Sequence, residues 1–253
     1  MIVLTILNEK GGVGKTTVAV TVAAGLASRG RRVLLVDADA QGHATRALGL
    51  TKYPGLYDLL VRDAEYADVI RPVSPERYGG QGISHLAVLG SNVETRSIAQ
   101  LVSNAYVFDD KLARLRDLFD FCLIDTAPTP SLLHGAIYLA TDWVLYPTLC
   151  EFWAFDGLAE SWAHRDAIQA RKQVRVAGVV PMRYRQTTLE HTANLDKLRA
   201  QFGDLVWPPV PERIVWAEAA TYQVPVFLHA PDSDAAGCAW ELVDRVEALG
   251  HGD

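Results

Sequence analysis

The 253-residue sequence has no apolar run approaching the roughly 18 residues that a membrane-spanning helix requires. Its opening, MIVLTILNEKGG, lacks a basic leader and a small-residue cleavage site, so it is expected to begin the fold and not to be a signal peptide. Cysteine is scarce. Cys122, Cys150 and Cys238 are widely spaced and form no Cys-x-x-Cys, which suggests neither a zinc site nor a disulfide framework. Three ordinary semi-buried thiols in a reducing cytoplasm are expected instead. The seven histidines are scattered without metal-ligand spacing. There is no internal repeat, low-complexity tract or linker, so one domain spanning 1–253 is expected. Charged residues are only 21% against 49% hydrophobic, which excludes a disordered chain or a coiled coil. Basic residues are also in deficit, 24 Lys+Arg against 30 Asp+Glu for a net charge of -6. Taken alone, that balance argues against a nucleic-acid binder.

What is present is a series of short apolar runs separated by helical patterns. The runs are 2–7, 33–36, 121–124, 143–146 and 176–180. They show no polar alternation, which suits strands buried on both faces of a parallel sheet. Amphipathic stretches at 16–29 and 155–172 lie between them. Strand–helix–strand alternation predicts an α/β, doubly wound, mostly parallel sheet with helices on both faces. Residues 72–82 and 207–211 read as turns.

The most informative segment is Glu9-Lys10-Gly11-Gly12-Val13-Gly14-Lys15-Thr16-Thr17, after the first apolar run and before a helical pattern. Glycines let backbone N–H groups close around phosphate oxygens, and a helix beginning near Thr16 adds the positive end of its dipole. Lys15 is placed to reach β- and γ-phosphates, Thr16 to ligate Mg²⁺ and Thr17 to add a phosphate contact. The generic G-x-x-x-x-G-K-[ST] pattern fails, because its first glycine falls on Glu9. The loop Lys10-Gly11-Gly12-Val13-Gly14-Lys15-Thr16 instead resembles the deviant phosphate loop K-G-G-x-G-K-T of the ParA/MinD family of P-loop ATPases. In that family the first lysine crosses a dimer interface to the partner subunit's nucleotide, which implies that role for Lys10. A second ammonium there neutralises charge developing during phosphoryl transfer.

Two further acid-bearing segments fit the same resemblance. Val36-Asp37-Ala38-Asp39-Ala40-Gln41-Gly42 is similar to the family's D-x-D-P-Q-G-N, departing at Ala40 and His43. The resemblance implies that Asp39 positions the attacking water and Asp37 supports the Mg²⁺ environment. Phe121-Cys122-Leu123-Ile124-Asp125 is a Walker B pattern, with Asp125 expected to hold Mg²⁺ through a water. Cys122 within that strand is expected to serve packing.

Later segments resemble the partition (ParA/Soj) branch. They are Pro147 to Leu158, His85 to Asn92, and the region from Val210-Pro211-Glu212-Arg213 through Val224-Pro225-Val226. The family's adenine-lining loop follows the first proline of that last region, which implies nucleotide contacts at Pro211 and Glu212. The membrane-cycling MinD branch fits less well, because residues 239–253 are acidic. The nitrogenase iron protein lacks counterparts here for its cluster cysteines. Met1 opens on the first strand, so the helix-turn-helix domain of larger partition ATPases is not expected.

Charge by segment changes the first impression. Residues 165–213 carry 9 Lys+Arg against 5 Asp+Glu, and 214–253 carry 1 against 7. A basic patch suffices for sequence-independent DNA binding, and Arg183, Arg185, Arg199 and Arg213 are the candidate contacts. Against this, Glu212 and Val215 stand where the family's I-P-R-N-V-R-L-S-E-A places arginines. The aromatic residues Phe152, Trp153, Phe155 and Trp162 are expected to be core, and Trp207 and Trp216 to pack near the adenine-side loop. The reading is therefore a MgATP-dependent homodimeric ATPase, cytoplasmic and nucleoid-associated, with an activating ParB-like or other partner protein. A rival is an ATP-switched scaffold that recruits a partner without DNA. A third, a metabolic P-loop enzyme related to dethiobiotin synthetase, needs a substrate pocket not evident in the sequence.

Overall fold

A computed structural model describes residues 1–151 and 154–251. Seven strands form one sheet: β1 (Ile2–Ile6), β2 (Val33–Ala38), β3 (Ile70–Pro72), β4 (Leu86–Leu89), β5 (Phe121–Thr126), β6 (Trp143–Leu149) and β7 (Arg175–Met182). Their order is β3-β4-β2-β5-β1-β6-β7. Every pairing is parallel except β3 with β4 at one edge. The helices are α1 (Lys15–Ser28), α2 (His43–Ala47), α3 (Leu56–Val61), α4 (Tyr66–Val69), α5 (Ile98–Leu101) and α6 (Val107–Ala113). They continue with α7 (Leu132–Ala140), α8 (Ala154–Ile168), α9 (Leu189–Phe202), α10 (Val215–Tyr222), α11 (Val226–His229) and α12 (Asp234–Ala248).

The expected α/β, mostly parallel sheet covered on both faces is what forms. β2 and β5 are buried along their whole length, the condition that unalternated apolar strands satisfy. On one face Leu4, Ile6 and Leu35 pack with Val18, Val22 and Leu26 of α1 and Leu242 and Val243 of α12. On the other, Val3, Val36 and Ile124 pack with α3, α6 and α7. A third cluster joins Tyr146 and Val179 to Leu158 of α8 and Leu198 of α9. The apolar face of α12 is thus spent on α1, and Arg29 binds Asp244 and Glu247 at 2.6 Å across the same contact. Among the described residues no helix is long and apolar enough to cross a membrane.

Some details differ from expectation. β3 and β4 did not register as strands, being three and four residues long. The 72–82 stretch is anchored by Tyr78, fully buried, whose hydroxyl accepts the His85 N–H at 2.8 Å. Residues 207–211 run beside β7: the Trp207 N–H donates to the Val179 carbonyl at 2.9 Å and that of Val210 to Pro181 at 2.7 Å. Trp207 is buried and its indole donates to Ala177 at 3.2 Å, so it packs into the fold beside β7. Trp162 packs between Tyr146 and Phe202. Phe152, Trp153 and the Phe155 side chain lie outside the described residues. Cys122 and Cys150 are fully buried, deeper than the semi-buried thiols expected, and burial pushes both thiols up, Cys150 to about 11.

Candidate nucleotide site

The carboxyl ends of β1, β2 and β5 open side by side, the edge where parallel sheets bind ligands. From β1 the chain enters the glycine loop. Gly12 (φ 74°) and Gly14 (φ 93°) take the left-handed conformation that side chains resist. Gly14 is the residue before α1, and no side chain caps that helix. The N–H groups of its first turn are therefore left for an anion. The Lys15 ammonium lies under the loop, donating to the carbonyls of Asn8 and Lys10 at 2.8 Å each. Burial pulls its pKa down, opposed by the charges of Asp125 and Asp39.

Asp37 and Asp125 are register partners on β2 and β5. The Thr16 hydroxyl donates to Asp125 Oδ2 at 2.7 Å, while Asp125 Oδ1 is buried without a donor among the described residues. Burial, reinforced by the neighbouring Asp37, pushes the Asp125 carboxyl well above its ordinary range. Asp37 is also raised by burial, but its oxygens are engaged. Oδ2 accepts the Thr45 N–H at 2.8 Å and hydroxyl at 2.7 Å, and Oδ1 accepts the Asp39 N–H at 3.2 Å. Asp39 is half-buried, and among the described residues only its Oδ1 holds a neighbour, the Gln41 N–H at 2.9 Å. Two buried carboxylates, one with an unpartnered oxygen beside a hydroxyl, form a hard-oxygen site that a Mg²⁺ ion fits. Among the described residues no group of three or more His, Cys, Asp and Glu could hold a metal. Mg²⁺ needs no such cage, since it keeps waters and phosphate oxygens in its shell.

Two clefts open near the site, one of them against the loop. One, of about 440 Å³, is lined by Gly12, Thr17, Met182, Pro211 and Trp216, with Glu212 and Arg183 at its wall. The other, of about 450 Å³, runs past Asp39, Thr95, Arg96 and His134. His134 Nε2 donates to the Ala127 carbonyl at 3.0 Å, and its Nδ1 therefore takes the Ser131 hydroxyl at 3.0 Å. The structure thus brings Lys10, Gly11, Gly12, Val13, Gly14, Lys15, Thr16, Thr17, Asp37, Asp39 and Asp125 to one edge. Pro211 and Glu212 border it.

The four candidate DNA-binding arginines are placed differently. Arg183 and Arg185 both pair with Glu212, Arg183 at 3.5 Å. Arg199 faces Asp196 at 3.8 Å, and Arg213 binds Asp234 at 2.6 Å. The Arg185 guanidinium holds the Glu212 carboxyl below its ordinary range. None of the four stands as a lone cation.

Residues 1–177 match the family model described as an AAA domain. The chain is 31% identical to the sporulation initiation inhibitor protein Soj of Bacillus subtilis, covering 98% of this chain and 99% of that protein. It is 35% identical to the chromosome partitioning protein ParA of Caulobacter vibrioides, over 90% of this chain and 86% of that one. The chain belongs to the ParA/Soj family of P-loop ATPases. Its fold is shared with McdA from Cyanothece, solved as an ATP complex, at a TM-score of 0.85 and 21% identity over 98% of this chain and 96% of that one.

In this ParA/Soj chain, several contributors had no signature of their own. Thr45 holds Asp37 from eight residues away. Asn8, fully buried, holds the Lys10 N–H at 2.9 Å and donates to the Pro147 carbonyl at 2.8 Å. Asn8 sits at the junction of β1 and the loop. The partners of His134 and Ser161 arise only on folding.

Proposed function

We propose that residues 1–253 act as one ParA-type ATPase unit. It binds MgATP, closes face to face with a second copy around the nucleotides and hydrolyses ATP slowly until a ParB-like or other partner protein stimulates it. The dimer binds DNA non-specifically on the nucleoid, in the cytoplasm, and so positions a plasmid, chromosome or protein body. The observation that carries the reading is Thr16 donating to Asp125 beneath the glycine loop, with Asp125 Oδ1 left unpartnered among the described residues.

Gly11, Gly12, Val13 and Gly14 offer backbone N–H groups to the phosphates, Thr17 adds a hydroxyl, and Pro211 and Glu212 border the base. Thr16 and Asp125 would hold Mg²⁺, while Asp37, already engaged by Thr45 and the Asp39 N–H, supplies charge behind them. When bound, Mg²⁺ supplies charge neutralisation for the β- and γ-phosphate oxygens. Lys15 exchanges its two carbonyl acceptors for phosphate oxygens, and Lys10 brings a second ammonium from the partner copy. Asp39 Oδ2 accepts no hydrogen bond among the described residues, leaving it to orient the water that attacks the γ-phosphorus in line.

Asp39→Ala should bind ATP and accumulate as a dimer without turnover, measured by light scattering and phosphate release. Undiminished phosphate release would refute the assignment. A second reading, a nucleotide-switched scaffold that does not touch DNA, is favoured by the pairing of all four arginines with carboxylates. A gel shift on non-specific duplex with and without ATP, at two salt concentrations, separates the two. An ATP-dependent, salt-sensitive shift supports DNA binding, and its absence leaves the scaffold.

A further inference from the structure

Lys10 is not a free surface lysine. Its stem crosses α8 at Gly157: a Cβ on Gly157 would lie 2.6 Å from Lys10 Cγ and 3.1 Å from both Lys10 Cδ and Asn8 Oδ1. One turn on, the fully buried Ser161 hydroxyl donates to the Gly157 carbonyl at 2.7 Å and accepts the Glu9 N–H at 3.2 Å. A further turn on, His164 Nδ1 meets the Glu9 carboxylate. Residues 157, 161 and 164 are spaced i, i+4, i+7, so they form one stripe along the helix. That stripe faces Glu9 and Lys10 directly. Asn8 completes the cradle by accepting the Lys10 N–H. Ser161 is itself fixed, its carbonyl accepting the Tyr138 hydroxyl at 3.1 Å.

We propose that the Gly157–Ser161–His164 stripe of α8 is the platform that positions Lys10, with Gly157 the residue whose missing side chain sets the path of the lysine stem. The inference rests on Lys10 being the lysine that serves the partner's nucleotide. α8 follows the sheet strand β6, whereas Lys10 follows β1, so the platform ties the lysine to the neighbouring layer and not only to its own loop. Gly157→Ala forces a shift, and Lys10 yields, because Asn8 is pinned at both ends of its amide. Alanine is the better helix former, so any loss seen in this variant does not come from weakening α8.

The test has two arms on the full-length protein. The first is amide hydrogen exchange at Glu9 and Lys10 without nucleotide. Gly157→Ala and Ser161→Ala should each speed exchange there about tenfold or more, since both disturb the cradle. Unchanged exchange in both overturns the platform, whatever Lys10 does. The second arm is the ATP-dependent dimer by light scattering in Gly157→Ala, Lys10→Ala and the double variant. If the stripe acts through Lys10, Gly157→Ala weakens the dimer in the parent and adds nothing in the Lys10→Ala background. An equal additional loss in both backgrounds marks a purely structural effect and overturns the proposal. An undisturbed dimer in Lys10→Ala would instead sink the role given to Lys10, with the exchange arm still deciding the platform.

Discussion

Asp125→Asn is expected to make the nucleotide-free protein more stable at neutral pH while crippling its response to Mg²⁺ nucleotide. Asp125 is fully buried, Oδ1 has no donor among the described residues, and the Asp37 carboxylate is its register partner on the next strand. A buried polar atom left without a partner costs about 1–3 kcal/mol. The amide removes the charge and the repulsion from Asp37, and an oxygen remains to accept from Thr16. The net gain is set at about 1–2 kcal/mol, or roughly 2–8 °C in Tm for a chain of this size.

The pH dependence follows from the direction of the shift. Burial, with Asp37 next, raises the folded-state pKa of Asp125 above its ordinary 3.8. The native state then binds more protons than the unfolded state between those two values, so stability falls as pH rises through that window. Wild type should lose stability there, and Asp125→Asn should lose less, because only Asp37, itself raised by burial, still titrates in the variant. The advantage of the variant should therefore be near zero around the ordinary value, grow with pH and level off above the raised one. The assay is thermal unfolding by circular dichroism without nucleotide across that range, repeated with MgADP. Added MgADP should lift wild type much more than the variant, because a ligand stabilises only the state that binds it. A variant less stable than wild type by the same amount at every pH would refute the reasoning.

Two other perturbations test separate parts of the structure. Glu212→Gln frees Arg183 and Arg185 together; if these arginines trade Glu212 for DNA phosphates, affinity for non-specific duplex at fixed low salt should rise by roughly threefold or more, and unchanged affinity removes them from the interface. Gly25→Ala places a Cβ 2.3 Å from Val243 Cγ2 at the α1–α12 contact, so overpacking of about 1–3 kcal/mol should outweigh a helix-propensity gain of up to about 1 kcal/mol, read as a lower urea midpoint.

The parts of the site legible in the sequence are those written contiguously. Lys10 to Thr17 is one segment, and its strand-before, helix-after setting is local. Asp37, Asp39 and Asp125 are strand-end acids, and strands of Val, Leu and Ile declare their own burial. The pairing of Thr16 with Asp125 spans 109 residues, yet it follows once β1 and β5 are neighbours. Thr45, Asn8, Gly157 and Ser161 were not legible because their roles depend on how far a helix is rotated and where its stripe falls against another loop. Nothing within five residues of Gly157 says that Lys10 will cross it. β3 and β4 escaped for a simpler reason, since three or four residues are too few to establish a period.

The same distinction bears on the charge count. A segment total of 9 basic against 5 acidic residues treats each charge as independent of the fold. Folding sets Arg213 against Asp234 and Lys172 against Asp142, both acids from outside 165–213. Glu212, which in sequence looked like a charge reversal at a contact position, is the carboxylate that gathers Arg183 and Arg185. These pairs are exposed, and exposed pairs contribute little and are screened by salt. A phosphate backbone is a dense acceptor that competes well against a single exposed carboxylate. Pairing therefore does not remove these arginines from DNA; it makes phosphate a replacement for a carboxylate instead of a first partner. The decisive variable is then not the number of arginines but the acid each must leave, and Glu212, which alone gathers two of the four, is where that exchange has the most effect.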